Sequence, residues 1–285
     1  MSRFQPERRL LGCTGEGAVL LALPTTTGTS GRERLGAVRI EAPAQASAAA
    51  LADALPTLAP APAPRAAGAP AVSLAVTLAD ALVRSFIVTP PIGAHGLREL
   101  RACAAARFTT LYGESAEAWL LAADWQAAAP FIACAMPRAL HRAIEELAAR
   151  QRWRLASLRP ALVRVWNHLS ASIPRDGWLL VGFGQTLSLL HTRHGQVAGL
   201  RNLHLSDAPT LPELEILLDQ ERLRIPVEGD PRARQSLLWA GAAAWLPATG
   251  TVGGLASRLV RLPAAEITNA ELPEAEQLAL AGSEP

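Results

Sequence analysis

The chain has 285 residues, of which 50% are hydrophobic and 18% are charged, and this composition excludes intrinsic disorder. Its formal net charge of +2 gives no electrostatic case for binding nucleic acid. The sequence contains arginine but no lysine, so enzymes that depend on a P-loop lysine or a Schiff-base lysine are excluded.

The cysteines and the N-terminus indicate the compartment. Cys13, Cys103 and Cys134 are odd in number and far apart, which argues against a disulfide framework or a zinc ribbon. The N-terminal residues are polar and unlike a signal peptide, and no run approaches the ~20 apolar residues that span a bilayer. The sequence therefore predicts a cytoplasmic protein without direct membrane insertion.

The first predicted unit is a strand hairpin. Arg8–Thr14 and Ala18–Leu23 are apolar runs on either side of a glycine-rich turn, and Gly36–Ile40 can add a third strand. The alanine- and proline-rich stretch that follows allows a short helix over Ser47–Leu55. Its second part, Pro56–Pro70, is typical of an extended, semi-rigid connector.

Strands and helices then alternate, which indicates an α/β fold. The strands predicted for one central sheet are Val72–Ala75, Leu82–Thr89, Trp119–Ala123 and Phe131–Met136. Apolar residues at helical spacing predict that Leu97–Leu111 and Pro137–Arg150 pack on this sheet as helices. A further strand at Trp153–Leu158 and a helix from Pro160 to Leu169 complete the region.

A second hairpin follows. Trp178–Val181, Leu187–Thr192 and Val197–Leu205 are predicted strands, and the glycines between the first two permit a sharp turn. A hairpin of this form can bring backbone amides to a phosphate. His191, His194 and His204 lie around it, but neighbours of a turn do not by themselves indicate a metal site.

The last third of the chain has weaker signals. Pro212 begins a predicted helix that ends near Leu223, and Asp230-Pro231 is a suitable start for another. Ser236–Trp245 fits a helix and a strand equally well. Residues from about Pro263 are acidic and alanine-rich, which is typical of a loose tail.

This order of elements resembles the actin-like superfamily (ASKHA, ribonuclease H fold). Within it, the chain looks like the cytoplasmic actin-like proteins of type IV pilus and type II secretion platforms, the PilM and GspL type. VSLAVTLADALVRSFIVTPP resembles their strand pair that ends in a proline step. LLVGFGQTLSLLHTRHGQVAGLRNLHL resembles their second-lobe phosphate hairpin.

The resemblance implies a ribonuclease H-type first lobe and a second, truncated lobe, since few elements are predicted beyond Leu205. It divides the chain into five segments. These are the N-terminal hairpin of the first lobe (1–41), an Ala/Pro-rich connector (42–71), the remainder of the first lobe (72–174), the truncated second lobe (175–262) and a flexible acidic tail (263–285).

The chain departs from this family at the residues that carry its chemistry. Active members have Asp-x-Gly in both phosphate hairpins, where the carboxylate holds Mg²⁺. The first hairpin here, around Cys13-Thr14-Gly15, has no aspartate, and in the second Gly182 replaces it. The resemblance then implies no ATP hydrolysis and no required cofactor, with only weak ATP binding left open. The residues of this degenerate phosphate loop are Gly182, Gly184, Gln185 and Thr186.

Two functions remain as hypotheses. The first is a non-catalytic scaffold, a pseudo-ATPase that binds the cytoplasmic segment of an inner-membrane pilus or secretion protein and is recruited to the membrane by it. Trp119, Trp125 and Arg107 are its predicted partner-binding residues, since aromatic and arginine side chains dominate binding energies, although Trp119 fits a core position equally well. The alternative is a divergent nucleotide-binding enzyme, an ATPase or a sugar-kinase-like protein. A homo-oligomer is left open.

Overall fold

A computed structural model describes residues 7–23, 32–59, 71–94, 96–224, 235–260 and 272–283. The strands are β1 (Arg8–Thr14), β2 (Gly17–Leu23), β3 (Glu33–Arg39), β4 (Val72–Leu78), β5 (Arg84–Val88), β6 (Trp119–Ala123), β7 (Phe131–Pro137), β8 (Trp153–Pro160), β9 (Gly177–Phe183), β10 (Thr186–Arg193), β11 (Gln196–His204), β12 (Ser236–Gly241), β13 (Gly250–Val252) and β14 (Leu255–Val260). The helices are α1 (Ser47–Ala54), α2 (Leu97–Tyr112), α3 (Arg138–Arg150), α4 (Ala161–Leu169), α5 (Leu211–Arg224) and α6 (Glu274–Ala281).

The first lobe is built on a five-stranded sheet in the order β3-β2-β1-β4-β8. β1 pairs antiparallel with β2, while β4 runs parallel to β1 and to β8. Side chains of β1 alternate between two cores, since Leu11 and Cys13 pack with α1 and α3, whereas Leu10 packs with α6. Burial on both faces explains the continuous apolar runs of β1 and β2.

The short helix that the sequence allowed over Ser47–Leu55 is present as α1, and it packs in the first lobe. α1 lies inside residues 42–71, and Leu51, Leu55 and Leu58 are buried in the first-lobe core against α3. These leucines fall on one face and are buried there, so this part of the chain belongs to the core. Residues 60–70 lie outside the described part of the chain.

The prediction of one central sheet is wrong. Only β4 belongs to the first-lobe sheet, and the other three predicted strands form a separate sheet in the order β5-β7-β6. α2 packs on one face of this small sheet, where Phe86, Phe108 and Phe131 share a core. A short turn at Asp80–Leu82 separates β4 from β5 and redirects the chain.

The second lobe is built on a six-stranded sheet in the order β11-β10-β9-β12-β14-β13. The order of elements in this lobe repeats that of the first lobe. In chain order, β9, β10, β11, α5, β12 and β14 correspond to β1, β2, β3, α1, β4 and β8. Ser236–Gly241 is a strand, which resolves the ambiguous stretch. Between β12 and β14 the second lobe has only residues 242–249 and β13, whereas between β4 and β8 the first lobe has β5, α2, β6, β7 and α3. The helix expected at Asp230 lies outside the described residues.

α4 and α6 connect the lobes. α4 follows β8 of the first lobe and packs into the core of the second, with Leu162 and Val165 buried against β9 and β12. α6 follows the second-lobe strands and packs back on β1 and β2.

The predicted flexible tail, 263–285, is therefore wrong for residues 274–281. The acids in α6 suggested a solvated segment, but Glu276 is buried in ion pairs with Arg32 and Arg34. Gly12 lacks the side chain that would meet the α6 backbone, since a Cβ there would lie 1.8 Å from the carbonyl oxygen of Ala275. Residues 261–271 lie outside the described part of the chain.

Candidate functional site

The degenerate phosphate loop forms the turn between β9 and β10, and the four predicted residues lie together on it. Gly184 has φ 52°, a left-handed conformation that favours glycine. The carbonyl oxygen of Gly182 accepts hydrogen bonds from the amides of Ala242 and Ala243, at 3.0 and 3.2 Å. The carbonyl oxygen of Gln185 accepts one from the amide of Leu205, at 2.8 Å. Protein groups thus hold the loop from both sides.

Trp245 lies against this loop. Its Nε1 donates to the carbonyl oxygen of Gly184 at 2.8 Å. A Cβ at Gly182 would lie 2.9 Å from the indole ring of Trp245 and 2.9 Å from Leu246. Gly182, the position to which the resemblance assigns a missing aspartate, is therefore covered by apolar side chains, with no room for a carboxylate.

Glu274, the first residue of α6, lies against the same loop. A Cβ at Gly184 would be 2.0 Å from its Oε2 atom. Burial, together with the nearby carboxylates of Glu16 and Asp80, raises the pKa of Glu274 to about 7. Glu16 belongs to the turn between β1 and β2 and Asp80 follows β4, so Glu274 lies in the cleft between the two lobes.

Asp80 joins the lobes at the base of this cleft. Its carboxylate oxygens accept hydrogen bonds from the amide of Leu162 in the first turn of α4, at 3.1 Å, and from Ser188 Oγ of β10, at 2.7 Å. Burial raises the pKa of Asp80 to about 6, against the opposing effect of these hydrogen bonds. Sequence reasoning missed Asp80, although an acid between a buried strand and a short turn was a signal available for it.

Mg-ATP, which the resemblance to the actin-like superfamily implies, does not fit these residues. Trp245 and Leu246 cover Gly182, and Glu274 fills the space at Gly184 where a phosphate would approach the turn. A carboxylate beside a phosphate repels it unless a cation lies between them. Within the described ranges, no group of three or more histidine, cysteine or acidic side chains could hold a metal ion.

The three histidines of the second hairpin do not converge. His191 is buried against the ring of Trp178, with centroids 4.7 Å apart, and burial lowers its pKa to about 4. His194 is exposed at the turn and lies beside Asp176, and His204 is exposed at the end of β11. Their arrangement provides no metal site.

An open groove of about 640 Å³ lies outside the cleft. It runs between the small sheet, the junction of β8 with α4 and the turn between β10 and β11. Both lobes contribute to it. Its lining residues are Ala122–Asp124, Gln126, Ala129–Ile132, Cys134, Leu158–Pro160, Val163, Trp166, Asn167 and Gly195–Val197.

The predicted partner-binding residues lie on the other side of the small sheet. Trp119 packs on Phe108 of α2, with ring centroids 5.3 Å apart, and belongs to that core. Trp125 packs on Phe131, and the guanidinium of Arg101 lies 5.8 Å from the centre of its ring. Arg107 is exposed on α2. These three side chains do not line the groove, and their role in binding stays a prediction.

Comparison with known proteins finds no matching family model and no matching curated protein. The cytoplasmic domain of EpsL, an inner-membrane component of the type II secretion system of Vibrio cholerae, is similar in structure, with a TM-score of 0.51 at 12% identity over 97% of this chain and 94% of that one. A chain of the PilM–PilN type IV pilus biogenesis complex has a TM-score of 0.51 at 15% identity, over 97% and 99%.

A protein of unknown function from Bacteroides thetaiotaomicron, described as having an actin-like ATPase fold, has a TM-score of 0.49 at 9% identity, over 86% of each chain. The EpsL and PilM–PilN structures, at identities this low, establish the fold and nothing beyond it. The fold prediction is thereby confirmed: this chain is an α/β protein with the two-lobed actin-like fold.

Proposed function

We propose that this protein is a non-catalytic actin-like scaffold that binds an extended cytoplasmic segment of an inner-membrane pilus or secretion protein in the groove between the small sheet and α4. The observation that carries the proposal is the position of this groove between two free strand edges. The alternative, a nucleotide-binding enzyme, gains no support from the cleft, since its loop is covered by Trp245 and Glu274.

The strand edges favour a peptide in extended form. β8 is the last strand of the first-lobe sheet and β6 the last strand of the small sheet, and within the described residues neither has a partner on its outer side. Leu158–Pro160 at the end of β8 and Ala122–Ala123 at the end of β6 both line the groove. A peptide strand can add to such an edge through main-chain hydrogen bonds.

The side chains of the groove favour an apolar segment with polar neighbours. Ile132, Val163 and Trp166 are half-buried on its walls, while Asp124 and Arg159 supply one charge of each sign. Alternate side chains of an extended peptide point in opposite directions. One set can therefore fill the apolar wall while the other meets the charged groups.

The similar structures support the proposed class of partner. EpsL is an inner-membrane component of a secretion system, and PilM is in complex with PilN in pilus biogenesis. No helix of the described residues is long and apolar enough to cross a membrane. By analogy, we propose that a membrane protein recruits this chain to the cytoplasmic face of the membrane.

The experiment is a titration of the full chain against fluorescent peptides that cover the cytoplasmic segments of pilus and secretion membrane proteins from its host. Saturable binding by one peptide is expected, with a loss of at least about tenfold in affinity for Gln196→Arg, whose side chain would enter the groove. Thr109→Arg is the matched control, because it adds the same charge at an exposed polar position of α2. Binding that falls equally for both variants contradicts the proposed site.

The same assay separates the groove from the face of α2. Arg107→Ala should leave the affinity unchanged if the peptide lies in the groove. A loss for Arg107→Ala with no loss for Gln196→Arg would instead move the partner to the surface that the sequence suggested.

A further inference from the structure

The cleft between the lobes contains three groups of the chain's own. Trp245 reaches the loop from the segment after β12 and donates to the carbonyl oxygen of Gly184 at 2.8 Å. Glu274 reaches the same glycine from α6. Asp80 lies below them and is bound to α4 and to Ser188 of β10. Asp80 belongs to the first lobe, Trp245 to the second lobe and Glu274 to the connecting helix α6.

We infer that the chain occupies its own nucleotide cleft: Glu274 and Trp245 take the place of a phosphate and its metal on the Gly182–Thr186 loop. Glu274 occupies the cleft permanently, because α6 belongs to the packed core. Ala279 and Leu280 of this helix are buried against β1 and β2, while Leu278 is buried in the core of the second lobe. Arg8 Nη1 donates to the carbonyl oxygen of Ser283, just past the end of the helix, at 2.8 Å.

The charged groups around Glu274 are acidic, so they oppose the binding of an anion in the cleft. The titratable groups that face it are Glu16 of the first hairpin and Asp80, both acidic. A nucleotide would add two or more negative charges to this acidic surrounding, and the described part of the chain offers no metal-binding cluster to offset them. The same side chains that fill the space therefore repel the ligand.

The inference that Glu274 and Trp245 fill the cleft, called here the closed cleft, does not depend on the proposed peptide site in the groove. If no peptide binds the groove, the closed cleft still stands, and if a nucleotide enters the cleft, the peptide site is not thereby lost. The two experiments use different ligands and different variants, so their failures are distinguishable.

A double-mutant cycle tests the contact between Gly184 and Glu274. Gly184→Ala, Glu274→Ala and the pair are compared with the wild type by thermal unfolding of the full chain. Gly253→Ala is the matched control, because Gly253 has φ 56° and an added Cβ would meet nothing within 4 Å, so that it reports backbone strain alone. Gly184→Ala should lower the Tm about 2 °C further than Gly253→Ala does, because the Glu274 side chain has to move aside, and most of this excess should vanish in the Glu274→Ala background.

The same preparations are then heated with about 2 mM Mg-ATP, which is roughly a hundred times the Kd of a moderately tight nucleotide site. No rise in the Tm of the wild type is expected. An equal cost of Gly184→Ala in both backgrounds, or a wild-type Tm that rises with Mg-ATP, overturns the inference. If Gly184→Ala does not fold in either background, the Mg-ATP measurement decides alone.

Discussion

The cleft and the groove lie between the same two lobes and have opposite character. The cleft is filled by Trp245, Glu274 and Asp80, each in contact with a neighbouring element of the chain. The groove is an open space of about 640 Å³ with two free strand edges beside it. In an actin-like fold the cleft is where a ligand is expected, yet here it is the groove that has room for one.

The difference teaches that the same fold can fill the space between its lobes at one place and leave it open at another. The phosphate loop retains its turn, because Gly184 still supplies the left-handed conformation, but its surface has become an internal packing surface. Substitutions in the cleft should therefore act on stability. Substitutions at the rim of the groove should act on binding.

The largest effect is expected at Gly12, where the backbone of α6 crosses β1. Gly12→Ala places a Cβ 1.8 Å from the carbonyl oxygen of Ala275, and backbone atoms cannot move aside as a flexible side chain can. We expect a loss of more than about 3 kcal/mol in the free energy of unfolding, measured by urea denaturation.

Gly250→Ala is its control, since nothing lies within 4 Å of a Cβ there. Its effect should stay within about 0.5 kcal/mol. Similar losses for the two variants would mean that α6 does not pack on β1 as described.

The next effect is the pH dependence caused by Glu274. Its pKa rises from 4.5 to about 7 in the folded protein, so the folded state binds more protons than the unfolded state between these values. Stability then falls as the pH rises from about 4.5 to about 7. Asp80, with a pKa raised from 3.8 to about 6, contributes in the same direction at lower pH.

Glu274→Gln removes the titration of Glu274 and keeps the shape of the side chain. At pH 8 the variant should be more stable than the wild type by on the order of 3 kcal/mol, at 1.36 kcal/mol per pKa unit, and the two should converge near pH 4. Chemical denaturation at several pH values measures this. Parallel curves for the two proteins would place the Glu274 carboxylate in solvent.

A smaller effect is expected at the junction of the lobes. Asp80→Ala leaves the amide of Leu162 and the hydroxyl of Ser188 without their acceptor, at a cost of about 2 kcal/mol near pH 5. Asp80→Asn keeps an oxygen acceptor and should cost less. Equal losses for the two substitutions would show that volume, and not hydrogen bonding, matters at this position.

The smallest effect on stability is expected at the groove. Gln196 is exposed at the rim, so Gln196→Arg should change the free energy of unfolding by less than about 0.5 kcal/mol while it weakens peptide binding. A large loss of stability would mean that the turn between β10 and β11 is part of the packed structure and not the wall of a binding site.

Local patterns predicted much of this fold. The helical spacing of Leu140, Ile144 and Leu147 predicted α3, and the apolar runs around Gly184 predicted β9 and β10. The assignment of β5, β6 and β7 to a separate sheet depends on which strands pair, and strand pairing at long range leaves no local signal.

The site was less predictable for a related reason. α6 has acids and alanines that favour solvent, and its burial depends on Gly12, more than 260 residues earlier in the chain. Trp245 and Asp80 act through partners on other elements, so their sequence neighbours do not reveal them. The prediction that Gly182 replaces an aspartate came from the resemblance, because a residue missing from a motif is visible locally.

The most direct test of the closed cleft is a crystal structure of the full chain grown with Mg²⁺ and a non-hydrolysable ATP analogue. The account predicts Glu274 against Gly184, the indole nitrogen of Trp245 bound to the carbonyl oxygen of Gly184, and no nucleotide between the lobes. Phosphates bound to residues 182–186, with Glu274 and Trp245 displaced from the loop, would contradict it.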